Sequence, residues 1–164
     1  PPGCFSFCPR GGGATPVHSV DSSAKPIALT TENVSLNSPG DPRHQAFAED
    51  AFKSLDRMGD QYGLIILDPP AFAKHRDALR NALRGYTKIN AKDFEKIRPG
   101  GILFTFSCSQ VVNKQDFRNA VFTAAAQSGR SVRILHQLTQ PGDHPVNIYH
   151  PEGEYLKGLV LYVE

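Results

Sequence analysis

The stretch GLIILDPPAFAK, residues 63–74, decides the fold. Its short continuous apolar run is typical of a buried strand that other elements cover on both faces. The run leads directly into Asp68, and two prolines then fix the backbone. A simple turn would need only Asn-Gly or Asp-Gly. A buried strand that ends in a carboxylate and a rigid turn therefore indicates a functional site.

The composition bounds the class of protein. The chain has 164 residues, 40% hydrophobic and 21% charged, which predicts a globular domain with a core. A net charge of +2 does not by itself indicate a polyanionic partner. Three cysteines make a disulfide framework improbable, and Cys4 and Cys8 have no further ligands at metal-site spacing. With no membrane-spanning run and no signal peptide, we expect a cytoplasmic protein without metal or membrane partner.

Strand and helix patterns alternate along the chain. The apolar patterns predict strands at 16–21, 45–50, 62–68, 101–109, 131–138 and 155–163, and helices at 22–37, 51–59, 76–97 and 114–129. Ser22 or Ser23 can cap the first helix, and Gly129 ends the last. This alternation predicts an open α/β sheet, in which ligands bind beyond the carboxyl ends of the strands.

Three consecutive predicted strands end in an acid, and the next delivers a thiol: Asp21, Asp50, Asp68 and Cys108. A carboxylate after such a strand can hold a ribose diol, which fits Asp21. Asp50 could take an adenine amino group. Both acids could equally serve as helix caps, and spacing alone does not separate the two interpretations.

The turn after Asp68 and the residue Cys108 carry different weight. Pro69 and Pro70 aim the carboxylate at a defined position, and Phe72 can stack on a flat ring, so we favour function over a rigid loop. Cys108 can act as a nucleophile at the rim of a sheet. On its residue type alone, a buried cysteine that packs as a small hydrophobe is the commoner outcome.

Basic residues recur at helical spacing after the turn: Arg76, Arg80, Arg84 and Lys88. They could hold phosphates, although a solvated helix face is the commoner reason for such a pattern.

Several segments together resemble one family. They are VDSSAKPIALTTENVSLN, DAF, LIILDPPAFAK, RGYTKIN, PGGILFTFSCS, AAAQSGRSVRIL, DHPV and PEGEYLKG, in order along nearly all of residues 12–164. They resemble the C-terminal catalytic domain of the S-adenosylmethionine-dependent 23S rRNA large-subunit (cytosine-5-)-methyltransferases that carry a PUA domain. LDPPAFAK alone is moderately specific, and its combination with TFSCS and PEGEYLKG is strongly so.

The resemblance implies a Rossmann-like methyltransferase fold, with a mostly parallel sheet and an antiparallel last strand. It implies S-adenosylmethionine as cofactor and 23S-type ribosomal RNA as partner, and the full-length protein could be a homodimer. Asp21 with Ser22 would hold the ribose of the cofactor, and Asp50 with Ala51 and Phe52 the adenine.

The resemblance also assigns the chemistry. Asp68 would lie between methyl donor and target base, with Pro69, Pro70 and Phe72 contacting the substrate. Cys108 would be the nucleophile. Carbon 5 of cytosine becomes nucleophilic when a thiolate adds to carbon 6, and the base must leave the stack to reach such a group.

The N-terminal segment departs from the family pattern. The chain has CFSFCPRGGGA where the family has a Thr-Gly-Gly-Phe turn that cradles the methionine part of the cofactor. We therefore expect residues 1–14 to be a remnant of the cofactor loop. Residues 15–164 would form an incomplete catalytic domain whose first, central strand is largely missing.

Two alternatives stay open. An Asp-Pro-Pro-aromatic turn could also hold the exocyclic amine of adenine or guanine, in a methyltransferase that needs no cysteine. The altered N-terminal segment also permits an inactive fragment that binds RNA without turnover.

Overall fold

The computed structural model describes residues 13–59 and 62–164, so the predicted remnant at 1–14 lies almost entirely outside them. The chain divides into two compact units, Pro1–Arg57 and Met58–Glu164. The described strands form two sheets, one of two strands and one of four. In the described part of the chain, no helix is both long enough and apolar enough to cross a membrane.

The first unit consists of two strand and helix pairs. Its elements are β1 (Val17–Asp21), α1 (Ala24–Asn37), β2 (His44–Ala48) and α2 (Ala51–Arg57). The strands are parallel, with Asp21 opposite Ala48 at their carboxyl ends. Val17, Val34 and Leu55 are buried. These buried side chains belong to β1, α1 and α2, and the parallel pairing brings the carboxyl ends of β1 and β2 together.

The second unit contains the larger sheet. Its elements are β3 (Leu64–Leu67), α3 (Leu79–Lys96), β4 (Gly101–Ser107), α4 (Lys114–Ser128), β5 (Val132–Leu138) and β6 (Lys157–Val163). The strand order is β3-β4-β6-β5. β3 runs parallel to β4, whereas β6 runs antiparallel to both β4 and β5. The last strand is thus antiparallel within its sheet, as predicted.

The core of this unit lies on the helix-covered face of β4. Alternate residues of β4 are buried, as the two-residue period of a strand requires when helices cover one face. Helix α3 contributes Tyr86, Ile89 and Phe94 to this core, and α4 contributes Phe117. These side chains are at most 2% exposed, so the core holds the carboxyl end of β4 in place.

Two glycines occupy positions that other residues would strain. Gly129 has φ of +68° and ends α4 in the left-handed conformation, as the sequence predicts. Gly158 lies opposite Phe106 in the pairing of β4 and β6. A Cβ atom at Gly158 would be 2.6 Å from the Phe106 ring, so the strands approach closely only with glycine here.

The prediction that β3 is covered on both faces is wrong. Leu64 is 38% exposed, and Leu67 is the one buried residue of this strand. Among the described strands β3 pairs only with β4, so it lies at the edge of its sheet. An apolar run indicates a strand, but its neighbours in the fold determine how much of it is covered.

Candidate active site

Two of the predicted site residues lie at the carboxyl ends of neighbouring strands in the larger sheet. Asp68 directly follows β3, and Cys108 directly follows β4. These strands are parallel, with Leu67 opposite Thr105, so their carboxyl ends point the same way. The structure therefore brings the carboxylate and the thiol to the same end of the sheet, the carboxyl end of its parallel strands, where α/β sheets bind ligands.

Hydrogen bonds hold the backbone on both sides of Cys108. Ser107 Oγ donates to the Tyr86 hydroxyl at 2.9 Å, and Ser109 Oγ donates to the Ala73 carbonyl at 2.7 Å. Both serines are fully buried, whereas the free thiol of Cys108 is half-buried. The serines thus fix the tripeptide to α3 and to the turn after β3, and the thiol keeps some access to solvent.

The turn after β3 is anchored by aromatic packing. Pro69 is buried, and the half-buried Phe72 ring lies 4.7 Å from the Tyr86 ring, tilted by 60°. Tyr86 in turn meets Phe117 edge to face at 5.4 Å. A Cβ atom at Gly85 would be 3.2 Å from Phe72, so the absence of a side chain there lets the ring approach α3. The rigid turn is thus continuous with the core.

The electrostatics connect the same groups. Asp68 is exposed at the surface, but the protein around it displaces much of its hydration. This desolvation raises the pKa of Asp68. Burial also raises the pKa of Tyr86. Negative charge on Cys108 or Asp68 raises it further, while hydrogen bonds from Ser107 and the Phe72 backbone lower it. Tyr86 is therefore a neutral phenol whose pKa depends on the charge of both Cys108 and Asp68.

Tyr86 and Lys157 contribute to this arrangement, although the sequence did not single them out as site residues. Within the predicted helix at 76–97, Tyr86 has only the helical spacing of a core residue. Lys157 is 6% exposed, and its Nζ donates to the Ser109 carbonyl at 2.5 Å. A lysine at the start of a wholly apolar strand was the available signal, because lysine is rarely buried without a partner.

The first unit holds the predicted cofactor residues. Asp21 Oδ1 accepts from the Ser23 backbone N–H at 2.7 Å, just before α1. Asp50 Oδ1 accepts from the Lys53 N–H at 3.1 Å, at the start of α2. Asp50 therefore caps α2, which is one of the two interpretations that its spacing allowed, whereas Asp21 bonds only the N–H of Ser23, the residue before α1. Each is exposed, and a carboxylate has a second oxygen for a ligand.

The remaining predicted cofactor residues lie beside these acids. Ser22 follows β1, and Ala51 and Phe52 open α2. Ser22 and Ala51 are exposed, and Phe52 is half-buried. These groups fit a nucleoside: carboxylates and a hydroxyl can bond its ribose diol and its amine, and an apolar ring can pack against its flat base.

The basic residues of α3 lie at a groove. Arg80, Arg84 and Lys88 are exposed and line a depression of about 840 Å³ between α3 and α4. Glu95 and Asp116 line it too, so the groove carries charge of both signs. Arg76 precedes it in a single turn of 3₁₀ helix. Charge of both signs is typical of a solvated helix face, the commoner of the two explanations given for these basic residues, rather than of a phosphate-binding surface.

Curated proteins resemble the chain along nearly its whole length. It is 39% identical to the ribosomal RNA large subunit methyltransferase I of Alteromonas mediterranea, over 98% of this chain and 41% of that protein. It is 40% identical to the protein of the same name from Aeromonas hydrophila, over 97% of this chain and 41% of that protein. The chain thus spans about two fifths of the length of these relatives. No protein-family model matches it.

Solved structures establish the fold. A candidate methyltransferase in complex with SAH superposes with a TM-score of 0.81 at 22% identity, over 97% of this chain and 42% of that chain. A candidate SAM-dependent methyltransferase from Streptococcus mutans gives 0.80 at 22% identity, over 97% of this chain and 41% of that chain. The chain therefore has the Rossmann-like α/β fold of S-adenosylmethionine-dependent methyltransferases, as its sequence predicts.

Proposed function

We propose that this chain is catalytic sequence of an S-adenosylmethionine-dependent methyltransferase that modifies carbon 5 of a cytosine in large-subunit ribosomal RNA. One observation carries the proposal: Cys108 is held by buried serines on both sides, at the same sheet edge as Asp68. A cysteine that merely filled the core would need neither this frame nor its partial exposure. The curated relatives named as ribosomal RNA methyltransferases support the RNA class of the substrate.

The cofactor assignment rests on groups that fit a nucleoside. Asp21 would accept from the ribose hydroxyls beside Ser22, using the carboxylate oxygen that does not bond Ser23. Asp50 would accept from the adenine amine, with Ala51 and Phe52 against the ring. When bound, S-adenosylmethionine supplies a methyl group activated by its sulfonium centre.

The second unit supplies the chemistry on the base. The thiolate of Cys108 adds to carbon 6 of cytosine, and the new carbon–sulfur bond makes carbon 5 nucleophilic. Once carbon 5 carries the methyl group, Asp68 takes the proton from it, and the carbon–sulfur bond breaks to release the thiolate. Burial raises the pKa of Asp68, which makes its carboxylate a stronger proton acceptor than a fully hydrated one. Pro69, Pro70 and Phe72 would line the space for the base.

The first experiment is a calorimetric titration of S-adenosylmethionine into the chain. Micromolar binding is expected if the acids of the first unit hold the nucleoside. Asp21→Asn should weaken it by about tenfold or more, since a neutral amide accepts less strongly from a diol. Glu32→Gln, an exposed acid within α1, is the matched control and should bind like the parent. A folded chain without binding would contradict the cofactor assignment.

The decisive experiment replaces the nucleophile. Cys108→Ser should lower methyl transfer to 23S rRNA by at least about 10³-fold, because a serine hydroxyl is a far weaker nucleophile at neutral pH. RNA that contains 5-fluorocytosine should form a covalent complex with the parent and not with Cys108→Ser, because fluorine cannot leave as the proton does.

Two other results would redirect the assignment. Methylation that survives in Cys108→Ser, with the product on an exocyclic nitrogen, would identify an amino-group methyltransferase built on the Asp68 turn. RNA binding without cofactor binding or turnover would identify an RNA-binding fragment. Mass spectrometry of the nucleosides separates the first outcome from carbon-5 methylation.

A further inference from the structure

Lys157 is a buried lysine whose place in the sheet puts it beside the candidate nucleophile. It is the first residue of β6 and pairs with Ser107, the last residue of β4. Directly opposed residues of antiparallel strands project from the same face of a sheet, so Lys157 shares the face on which Ser107 meets Tyr86. Only 6% of Lys157 is exposed. A lysine in such a position requires a partner.

The ammonium group contacts the segment that carries Cys108. Lys157 Nζ donates to the carbonyl of Ser109, one residue past the thiol, at 2.5 Å. Loss of hydration lowers the pKa of Lys157, and negative charge at Cys108 opposes that effect. Negative charge at Cys108 therefore favours the charged form of Lys157.

Other charged groups surround this pair. The ammonium of Lys114, on α4, lowers the pKa of Lys157 by like-charge repulsion, but it also forms an exposed ion pair with Glu154 at 2.6 Å. Burial raises the pKa of Tyr86, and negative charge on Cys108 or Asp68 raises it further. Lys157 is thus the buried cation of this neighbourhood, among the residues that the structure describes.

We propose that Lys157 is a positioning residue that fixes the Cys108 segment through the Ser109 carbonyl and stabilises the thiolate of Cys108 with its positive charge. The inference deepens the proposed function and rests on it for its biological role. A cation close to a thiol favours the thiolate, which is the form that attacks carbon.

The test measures the thiol directly and needs neither RNA nor cofactor. Iodoacetamide alkylation of the peptide that carries Cys108 is followed by mass spectrometry in the parent, Lys157→Gln and Lys157→Arg. Glutamine keeps a donor for the Ser109 carbonyl but removes the charge. Alkylation at pH 7.5 should fall about five- to tenfold in Lys157→Gln. Lys157→Arg should stay within about threefold of the parent, since it keeps the charge.

The pH profile separates charge from structure. At pH 10 to 10.5 thiols ionise without help, so the parent and Lys157→Gln should react at nearly the same rate. Equal rates at pH 7.5, or a loss of the same size at both pH values, would overturn the proposal. If Lys157→Gln does not fold, by circular dichroism, Lys157→Met removes the charge and keeps the apolar stem, with the same expected profile. Free N-acetylcysteine, alkylated in parallel with each sample, reports the reagent and the pH.

The outcome is independent of the methylation assay. A loss of alkylation in Lys157→Gln, together with methylation that survives in Cys108→Ser, would overturn the carbon-5 chemistry and leave the cation and thiol pair standing. If methylation depends on Cys108 but alkylation is the same in the parent and Lys157→Gln, the carbon-5 chemistry is supported and the role of Lys157 is overturned.

Discussion

Two parts of the buried face of α3 differ in whether their buried polar atoms have hydrogen-bond partners. At one end the Tyr86 hydroxyl accepts from Ser107 Oγ and from the Phe72 backbone. One turn and more further along, both carboxylate oxygens of Asp93 and the carbonyl oxygen of Asn90 have no hydrogen-bond partner among the described residues. Thr105 Oγ, on β4, is in the same situation. Tyr86 and Ser107 at the first end, and Asn90, Asp93 and Thr105 at the second, are fully buried.

The difference shows where this unit gains stability from polar groups and where it loses stability. A buried hydrogen bond contributes modestly, whereas a buried polar atom without a partner costs about 1–3 kcal/mol. Burial raises the pKa of Asp93 well above its usual range, because loss of hydration disfavours the charged carboxylate. The paired end positions Cys108, whereas the buried atoms without partners at the other end lower the stability of the unit.

The largest expected effect tests the packing beneath the paired end. Phe117→Ala removes the ring that meets Tyr86 edge to face and should destabilise the chain by about 3–5 kcal/mol. Phe122→Ala, on the same helix but 72% exposed, should change the free energy of unfolding by less than about 0.5 kcal/mol. Urea denaturation of both variants makes the comparison. Equal small losses would show that Tyr86 is held by its hydrogen bonds alone.

The next effect tests the hydrogen bonds themselves. Tyr86→Phe keeps the ring but leaves Ser107 Oγ and the Phe72 N–H without their acceptor, which should destabilise the chain by about 1–3 kcal/mol. Tyr149→Phe is the matched control, because Tyr149 is 86% exposed. The urea midpoint reports the difference. An unchanged midpoint in Tyr86→Phe would mean that the two ends of α3 do not differ in the way described.

The smallest effect has the opposite sign and depends on pH. The pKa of Asp93 is higher in the folded than in the unfolded chain, so its stabilising contribution is complete below the unfolded pKa. It is lost as the pH rises through the folded pKa. Asp93→Asn cannot ionise and should therefore be more stable than the parent at pH 8, by about 1–2 kcal/mol.

Thermal melts between pH 5 and pH 9 test this prediction. The parent should lose more stability across the range than Asp93→Asn does. Glu95→Gln, which removes an exposed acid from the same helix, should follow the parent. Parallel pH profiles for the parent and Asp93→Asn would contradict the raised pKa.

The sequence predicted the fold closely because its signals are local. Helix α4 ends at Gly129 as the glycine predicts, and every predicted strand is present within a few residues of its bounds. The covering of β3 was not predictable, since it depends on which strands lie beside Leu64. A continuous apolar run has the same appearance at the centre and at the edge of a sheet.

The candidate site was predictable in its strand ends and not in its contacts. Asp68 and Cys108 follow apolar strands, and parallel strands bring their ends together, so sequence reasoning could place both at one edge. The spacing of Asp21 and Asp50 left two roles open. In the structure Asp50 caps α2 through the N–H of Lys53, whereas Asp21 bonds the N–H of Ser23 just before α1.

The sequence by itself determined the order and type of the elements and the residues at their ends, because apolar periodicity, glycine and proline act over a few neighbouring residues. Only the tertiary structure decided which polar groups meet. Lys157 and Ser109 are 48 residues apart and come together because β6 runs antiparallel to β4. Ser107 and Tyr86, 21 residues apart, meet because α3 packs on the same face. Such contacts depend on register and burial, which no local pattern encodes.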